Sequence, residues 1–175
     1  MFSTTKHYQL HHVNWEKPAK DESLEHYVLK LSKQIKHTEN LVLIGVSFCG
    51  MVTLALNELF SVKKTILISS IKNEKEKPAI LASGWIKKLY PIFVPYFIKT
   101  FPSLCYWHFG AQTKEEKQLL RKLIRKANGY YLKWSVGKIL EWEYNKPLHN
   151  VYHIHGNADR IFTINNINDP IIIKG

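Results

Sequence analysis

The sequence predicts an α/β protein with a mostly parallel β-sheet and flanking helices. Residues 41–47 and 63–70 are apolar-leaning runs without alternation, as expected of strands in a parallel sheet that is buried on both faces. Helical patterns stand between the predicted strands, and parallel strands need such crossover connections. These observations together favour the α/β class over all-α or all-β folds.

The first seventy residues alternate strand, helix, strand, helix and strand. Tyr8 to Val13 is rich in β-forming residues and is predicted to be the first strand. Ser23 can cap the next helix, and the apolar residues of that helix are three and four positions apart: Leu24, Tyr27, Val28, Leu31 and Ile35. Met51 to Phe60 is predicted to be the helix between the two apolar strands.

Residues 79–144 have no strand pattern and predict a helical insertion. A charged stretch, residues 72–78, reads as a solvated connection into it. An aromatic segment with prolines follows, from Trp85 to Phe109. Thr113 and Glu116 have capping-box spacing, and Gly129 suits the end of the helix that they open. That helix has an apolar face, and its opposite face is basic: Lys117, Arg121, Lys122, Arg125 and Lys126.

The α/β pattern resumes after the insertion. Residues 151–160 predict a strand that leaves into a loop, and residues 170–175 predict the start of another. The predicted organisation is therefore an α/β core, residues 1–71 and 147–175, interrupted by an insertion over residues 72–146.

Composition limits the possible functions only loosely. An apolar content of 45% in 175 residues excludes a disordered chain and allows one domain with a core. The net charge of +11 suits a nucleic acid or an anionic membrane surface without choosing between them. The most apolar window is too short to span a membrane, and the N-terminus has no signal-peptide pattern. Cys49 and Cys105 have no metal-ligand spacing, so reduced thiols in a cytoplasmic protein are expected.

Ser47 lies at the junction of a predicted strand and a predicted helix. A serine hydroxyl is a weak nucleophile and needs a base, an acid that orients the base, and N–H donors for the oxyanion. A sharp strand-to-helix turn would lift its Oγ above the sheet and place the N–H of Phe48 at the helix N-terminus. Small residues two positions before and after the serine allow such a turn, and they are Gly45 and Cys49.

This junction resembles the nucleophile elbow of the α/β-hydrolase fold family, whose motif is G-x-S-x-G. Cys49 replaces the second glycine, and Gly50 follows directly. The stretch after residue 154, His-Gly-Asn-Ala-Asp, is similar to the family's acid loop, with Asp159 as the triad acid. The order serine, helical insertion, aspartate is also the family's order.

The resemblance implies a lidded serine hydrolase that cleaves a carboxylic ester or thioester without metal or cofactor. Ser47 would be the nucleophile, the Phe48 N–H an oxyanion donor and Asp159 the acid. The insertion would be the lid, with four candidate pocket residues for an apolar acyl or aryl group: Trp85, Phe93, Phe97 and Trp107. The expected partner is a small-molecule ester, not a nucleic acid.

No histidine of this sequence stands where the family has its triad histidine. The family's histidine follows the strand after the acid loop, and no histidine follows Asp159 in this sequence. His153 and His155 lie on the acid strand and His108 lies in the predicted lid, so none of them is the expected base. The loop of the second oxyanion donor is missing as well. We therefore expect a fragment of an α/β hydrolase that is inactive by itself.

Other interpretations of the same residues stay open. Ser47 can be the capping residue of an ordinary turn, and Asp159 can hold the N–H groups of its own loop. A nucleotide-binding loop is disfavoured, because Ser47 stands where G-x-G-x-x-G needs its middle glycine. The alternative function is a non-enzymatic basic and aromatic module for anionic lipid or nucleic acid.

Overall fold

A four-stranded parallel sheet forms the centre of the chain. The computed structural model describes residues 8–82, 90, 100 and 102–174. The strands lie side by side in sequence order: β1 (Val42–Val46), β2 (Lys64–Ile68), β3 (Val151–Gly156) and β4 (Ile171–Ile173). Each neighbouring pair is parallel. The predicted α/β class with a mostly parallel sheet is confirmed.

The helices flank this sheet or lie between β2 and β3. Their bounds are α1 (Leu24–Ser32), α2 (Phe48–Asn57), α3 (Ala79–Ala82), α4 (Pro102–His108), α5 (Lys114–Lys126) and α6 (Gly129–Glu141). Ser23 caps α1 as predicted, since its side chain accepts the N–H of His26 at 3.1 Å. The predicted capping box of α5 is also present. Helix α2 begins at Phe48, three residues earlier than predicted.

Two local predictions were wrong. Gly129 does not end α5, which stops at Lys126; it is the first residue of α6, because the side chain of Asn128 accepts the N–H of Tyr130 and starts a new helix. Tyr8 to Val13 is not a strand. These residues are largely exposed, and β-forming side chains give a strand only where a partner strand offers backbone hydrogen bonds.

The two faces of the sheet differ in how they are covered. Leu43 and Leu67 pack with α2, His153 lies on the same face of the sheet beside Leu67, and all three are buried. The alternate residues of the other face are apolar but open: Ile44 is 54% exposed and Val46 is 51% exposed. The prediction that these strands are buried on both faces therefore holds for one face only, because no described element packs on the other. We call this second surface the open sheet face.

The segment between β2 and β3 is joined at its base by two hydrogen bonds. The indole N–H of Trp142 donates to the carbonyl of Lys72 at 3.2 Å, and the ammonium of Lys77 donates to the carbonyl of Leu140 at 2.9 Å. These four residues form what we call the neck. The neck lies inside residues 72–146, and the division of the chain into core and lid stays a prediction.

Candidate active site

Ser47 occupies a strained turn between β1 and α2. Its φ is 54° and its ψ is −126°, a conformation that residues with a Cβ rarely adopt. Its N–H donates to the carbonyl of Ile68 at 2.9 Å, and its own carbonyl accepts the N–H of Gly50 at 2.9 Å. The hydroxyl of Ser70 donates to the same carbonyl at 2.7 Å. Three hydrogen bonds therefore hold the unusual backbone in place.

Glycines before and after Ser47 make this turn sterically possible. A Cβ at position 45 would lie 2.3 Å from Oγ1 of Thr53 and 2.4 Å from the carbonyl oxygen of Cys49. A Cβ at position 50 would lie 2.3 Å from Oγ of Ser70. Cys49 itself is only partly buried, and burial raises the pKa of its thiol. The close packing after the serine therefore falls at residue 50, which has to be glycine. Residue 49 is only partly buried, so a cysteine can occupy it.

The side chain of Ser47 does not cap α2. Although Ser47 is the N-cap residue, its hydroxyl makes no capping hydrogen bond to the helix backbone. The side chain is partly exposed at the carboxyl edge of the sheet. Phe48 is the first residue of α2, where backbone N–H groups have no partner within the helix. The geometry therefore favours an available hydroxyl next to an available N–H donor, as the elbow interpretation requires.

Asp159 lies in the loop after β3 and uses its two oxygens differently. Oδ1 accepts the N–H groups of Ile161 at 2.8 Å and Phe162 at 2.9 Å. Oδ2 lies 3.6 Å from Nε2 of His155, beyond hydrogen-bond distance. The loop-stabilising role considered for Asp159 is thus performed by Oδ1. Oδ2 remains suited to accept a bond from a second group.

The structure places Ser47 and the Asp159 loop at the same edge of the sheet but does not bring them into contact. Ser47 follows β1, the loop follows β3, and β2 lies between these strands. Neighbouring strands are about 4.8 Å apart, so β1 and β3 are separated by roughly 10 Å. A group that hydrogen-bonds both residues would have to bridge this gap above the end of β2.

The two histidines of β3 are buried and bonded to other groups. Nε2 of His155 lies 2.6 Å from the carbonyl oxygen of Phe162, so it must carry the proton. Nδ1 of His155 then accepts from Nε2 of His153 at 3.2 Å. Burial and the nearby charge of Lys72 lower the pKa of His153 to about 4. Within the described residues, no histidine is hydrogen-bonded to Ser47.

A buried ion pair beside the acid loop was missed by the sequence analysis. Residues 72–78 read as a solvated connection, yet Lys72 and Glu76 are buried and their charged groups are 3.3 Å apart. Glu76 also accepts the N–H of Asn168 at 3.0 Å, and the Lys72 ammonium donates to the Asn168 carbonyl. The pair joins the end of β2 to the segment before β4. The spacing of four residues alone cannot distinguish this pair from an exposed one.

Two aromatic residues link the predicted lid to the candidate site. Trp134 of α6 packs edge-to-face on Phe48, with ring centroids 5.8 Å apart. The guanidinium of Arg160, next to Asp159, lies 4.7 Å from the ring centroid of Trp107 and donates to the Trp107 carbonyl at 2.7 Å. The other three predicted pocket residues, Trp85, Phe93 and Phe97, lie outside the described residues.

Every helix in the described part of the chain is too short or too polar to cross a lipid bilayer. Within that same part, no three His, Cys, Asp or Glu side chains are grouped so that they could hold a metal ion.

Comparison with solved structures identifies the fold. The chain is similar to an alpha/beta hydrolase enzyme from a Medee basin deep-sea metagenome library, with a TM-score of 0.54 and 13% identity over 91% of this chain. It is also similar to a thermophilic esterase, with a TM-score of 0.56 and 15% identity over 90% of this chain. The fold is that of the α/β hydrolases, as the elbow and acid loop predicted.

The sequence comparisons add no closer relative. No protein-family model matches the chain, and no curated protein matches it. The chain spans 66% of the length of each of the two hydrolase structures. The described sheet is accordingly an incomplete α/β-hydrolase sheet.

Proposed function

We propose that this chain carries the nucleophile and the acid of a serine hydrolase that acts on carboxylic esters or thioesters. The observation that carries the proposal is the backbone of Ser47, a residue with a Cβ held at φ 54° on a strand-to-helix turn. Strain of this kind persists where the surroundings enforce it, and it concentrates at functional sites. The hydrolase fold supports the same reaction class.

In the proposed reaction, Oγ of Ser47 forms a bond to the carbonyl carbon of the ester while its proton passes to a histidine. The N–H of Phe48 stabilises the oxyanion, and Oδ2 of Asp159 orients the histidine and balances its charge. The histidine returns the proton to the departing alcohol or thiol as that bond breaks. Water then releases the acid from Ser47 by the same steps.

The base in this proposal is a histidine outside the 175 residues. Nε2 of His153 and both ring nitrogens of His155 are engaged with each other and with the Phe162 carbonyl, and Nδ1 of His153 is buried without a hydrogen bond to Ser47. The two hydrolase structures are longer than this chain, which is consistent with a further segment. Residues 1–175 alone are therefore proposed to be inactive.

The proposed substrate has an apolar acyl or aryl group. Trp134 packs against Phe48, next to the nucleophile, and Trp107 is held by Arg160 beside the acid loop. Ligand sites are lined mostly by apolar and aromatic side chains with a few polar groups. The lid role of residues 72–146, and pocket roles for Trp85, Phe93 and Phe97, are parts of the same proposal.

Labelling with a fluorophosphonate probe tests the proposal. We expect no labelling of residues 1–175, and labelling at Ser47 in a version extended at both ends by its flanking coding sequence. Ser47→Ala should abolish that labelling, whereas Ser61→Ala, on an exposed loop, should not. Labelling that survives Ser47→Ala would refute the nucleophile assignment. Full labelling of the short chain at Ser47 would instead place the base inside it, and His108→Ala would be the first variant to examine.

A further inference from the structure

Helix α5 (Lys114–Lys126) has an apolar stripe that the described structure covers only in part. None of its residues is buried; Leu119 is 60% exposed and Leu123 is 58% exposed. Leu120 and Ile124 adjoin them, since residues three or four apart share a helix face. An amphipathic helix in a globular protein normally turns such a stripe toward the core. Here Leu119 and Leu123 face solvent, while Leu120 and Ile124 are partly buried.

The remaining surface of α5 is strongly basic. Six of its thirteen residues are cationic: Lys114, Lys117, Arg121, Lys122, Arg125 and Lys126. At roughly 100° per residue, Lys117 and Lys126 border the apolar stripe on its two sides. Of the two acidic residues, Glu116 is engaged in the capping box. Basic residues that border an exposed apolar stripe are typical of helices that lie in the interface of a bilayer.

One further exposed aromatic side chain stands next to this helix: Phe109, in the turn before α5, is 56% exposed. A shallow depression lined by Tyr106 of α4 and by Lys114, Lys117, Gln118 and Arg121 lies on the opposite, basic side of α5 and is separate from the apolar stripe.

We propose that α5 docks flat on an anionic lipid bilayer. Leu119, Leu120, Leu123 and Ile124 enter the interfacial region, and Lys117 and Lys126, which border the stripe, contact the headgroups. A nucleic acid would satisfy the basic residues but leave the apolar stripe in water, so the combination favours a bilayer. The net charge of +11 strengthens the attraction to any anionic surface. This docking is independent of the role proposed for Ser47.

Flotation with lipid vesicles tests the docking. The 175-residue chain should float with vesicles of equimolar phosphatidylcholine and phosphatidylglycerol, and not with pure phosphatidylcholine. Leu119→Ser/Leu123→Ser and Lys117→Gln/Lys126→Gln should each weaken binding by about tenfold or more. Since α5 has no buried residue, both variants should keep the circular-dichroism spectrum and melting temperature of the parent. Ser47→Ala should float like the parent, which separates this test from that of the hydrolase.

Matched controls distinguish binding through α5 from nonspecific hydrophobic or electrostatic binding. Leu59→Ser and Lys33→Gln/Lys36→Gln change exposed residues elsewhere and should leave flotation unchanged. Equal losses in these controls would overturn the proposal. So would loss in the lysine variant of α5 alone, with release by a single-stranded oligonucleotide, which would indicate a nucleic-acid surface. A leucine variant that changes the oligomeric mass but not flotation would indicate self-association and would also overturn it.

Discussion

The hydroxyl of Ser70 donates a 2.7 Å hydrogen bond to the carbonyl oxygen of Ser47, so the end of β2 holds the elbow at the end of β1. Ser70 is completely buried. The bond fits only because Gly50, which packs against Ser70, has no side chain. The conformation of the candidate nucleophile therefore depends on a neighbouring strand as well as on its own turn.

Gly50→Ala should destabilise the protein by about 1–3 kcal/mol, the usual cost of forcing an extra methyl group into a packed site. The new Cβ would lie 2.3 Å from Oγ and 2.6 Å from Cβ of Ser70, so Ser70 must move and its bond to Ser47 must lengthen. Urea denaturation measures the change. Gly156→Ala is the matched control, because no atom lies within 4 Å of its added Cβ. Equal effects of the two variants would contradict the packing account.

His153 should make the protein less stable as the pH falls from 6.5 to 4. Burial and the charge of Lys72 lower its pKa from 6.5 to about 4 in the folded state. Between these values the unfolded chain binds a proton that the folded chain does not, so the free energy of unfolding decreases by up to about 3 kcal/mol. Above pH 6.5 both states are neutral at this ring and the effect vanishes.

The measurement is the slope of unfolding free energy against pH. His153→Gln should flatten it in this range, whatever its effect on absolute stability. His149→Gln, on an exposed residue, should keep the parent slope, and carboxylates contribute equally to all three proteins. An unchanged slope in His153→Gln would show that another group is responsible.

Arg160 should hold α4 against the acid loop. Arg160→Ala removes both the 2.7 Å bond to the Trp107 carbonyl and the cation–π contact with the Trp107 ring. We expect at least a severalfold increase in amide hydrogen exchange for residues 103–108, with little change in global stability, because local opening needs only local contacts to break. Arg125→Ala, on α5, is the control. Unchanged exchange in Arg160→Ala would mean that other contacts hold α4.

The open sheet face should cause residues 1–175 to self-associate. Exposed apolar patches and uncovered strands promote association, and Ile44, Val46 and Tyr152 lie on this face. Light scattering should show a mass that rises with protein concentration. Ile44→Lys/Tyr152→Lys should reduce it, whereas Leu59→Lys should not. A stable monomer with a cooperative, high-temperature melt would contradict this prediction and the interpretation of the chain as a fragment.

The parts of the fold that could be predicted from sequence are those set by neighbouring residues. The apolar run before Gly45 predicted β1 and the elbow, and Thr113 with Glu116 predicted the start of α5. The prediction of a strand from Tyr8 to Val13 was wrong, because strand formation depends on a partner strand elsewhere in the chain.

At the candidate site, too, features set by neighbouring residues could be predicted and contacts between distant residues could not. The contact of Gly50 with Ser70 joins residues that no local motif relates. The burial of Lys72 and Glu76 depends on Asn168, almost a hundred residues away. Sequence spacing therefore identified the candidate residues. The contacts that hold these residues in place join distant parts of the chain and are seen only in the structure.

Because the neck holds its two ends, part of the segment between β2 and β3 can change in length or sequence without moving the sheet. The contacts of Lys72 with Trp142 and of Lys77 with Leu140 hold the two ends of the segment together, and Trp134 anchors α6 in the core. The entropy of closing a loop rises only slowly with its length. Residues 110–127, which include α5 and none of which is buried, could thus be shortened, lengthened or exchanged for another helical segment while Ser47 and Asp159 keep their places. In the proposed hydrolase, substrate preference could in this way diverge without a change at either residue.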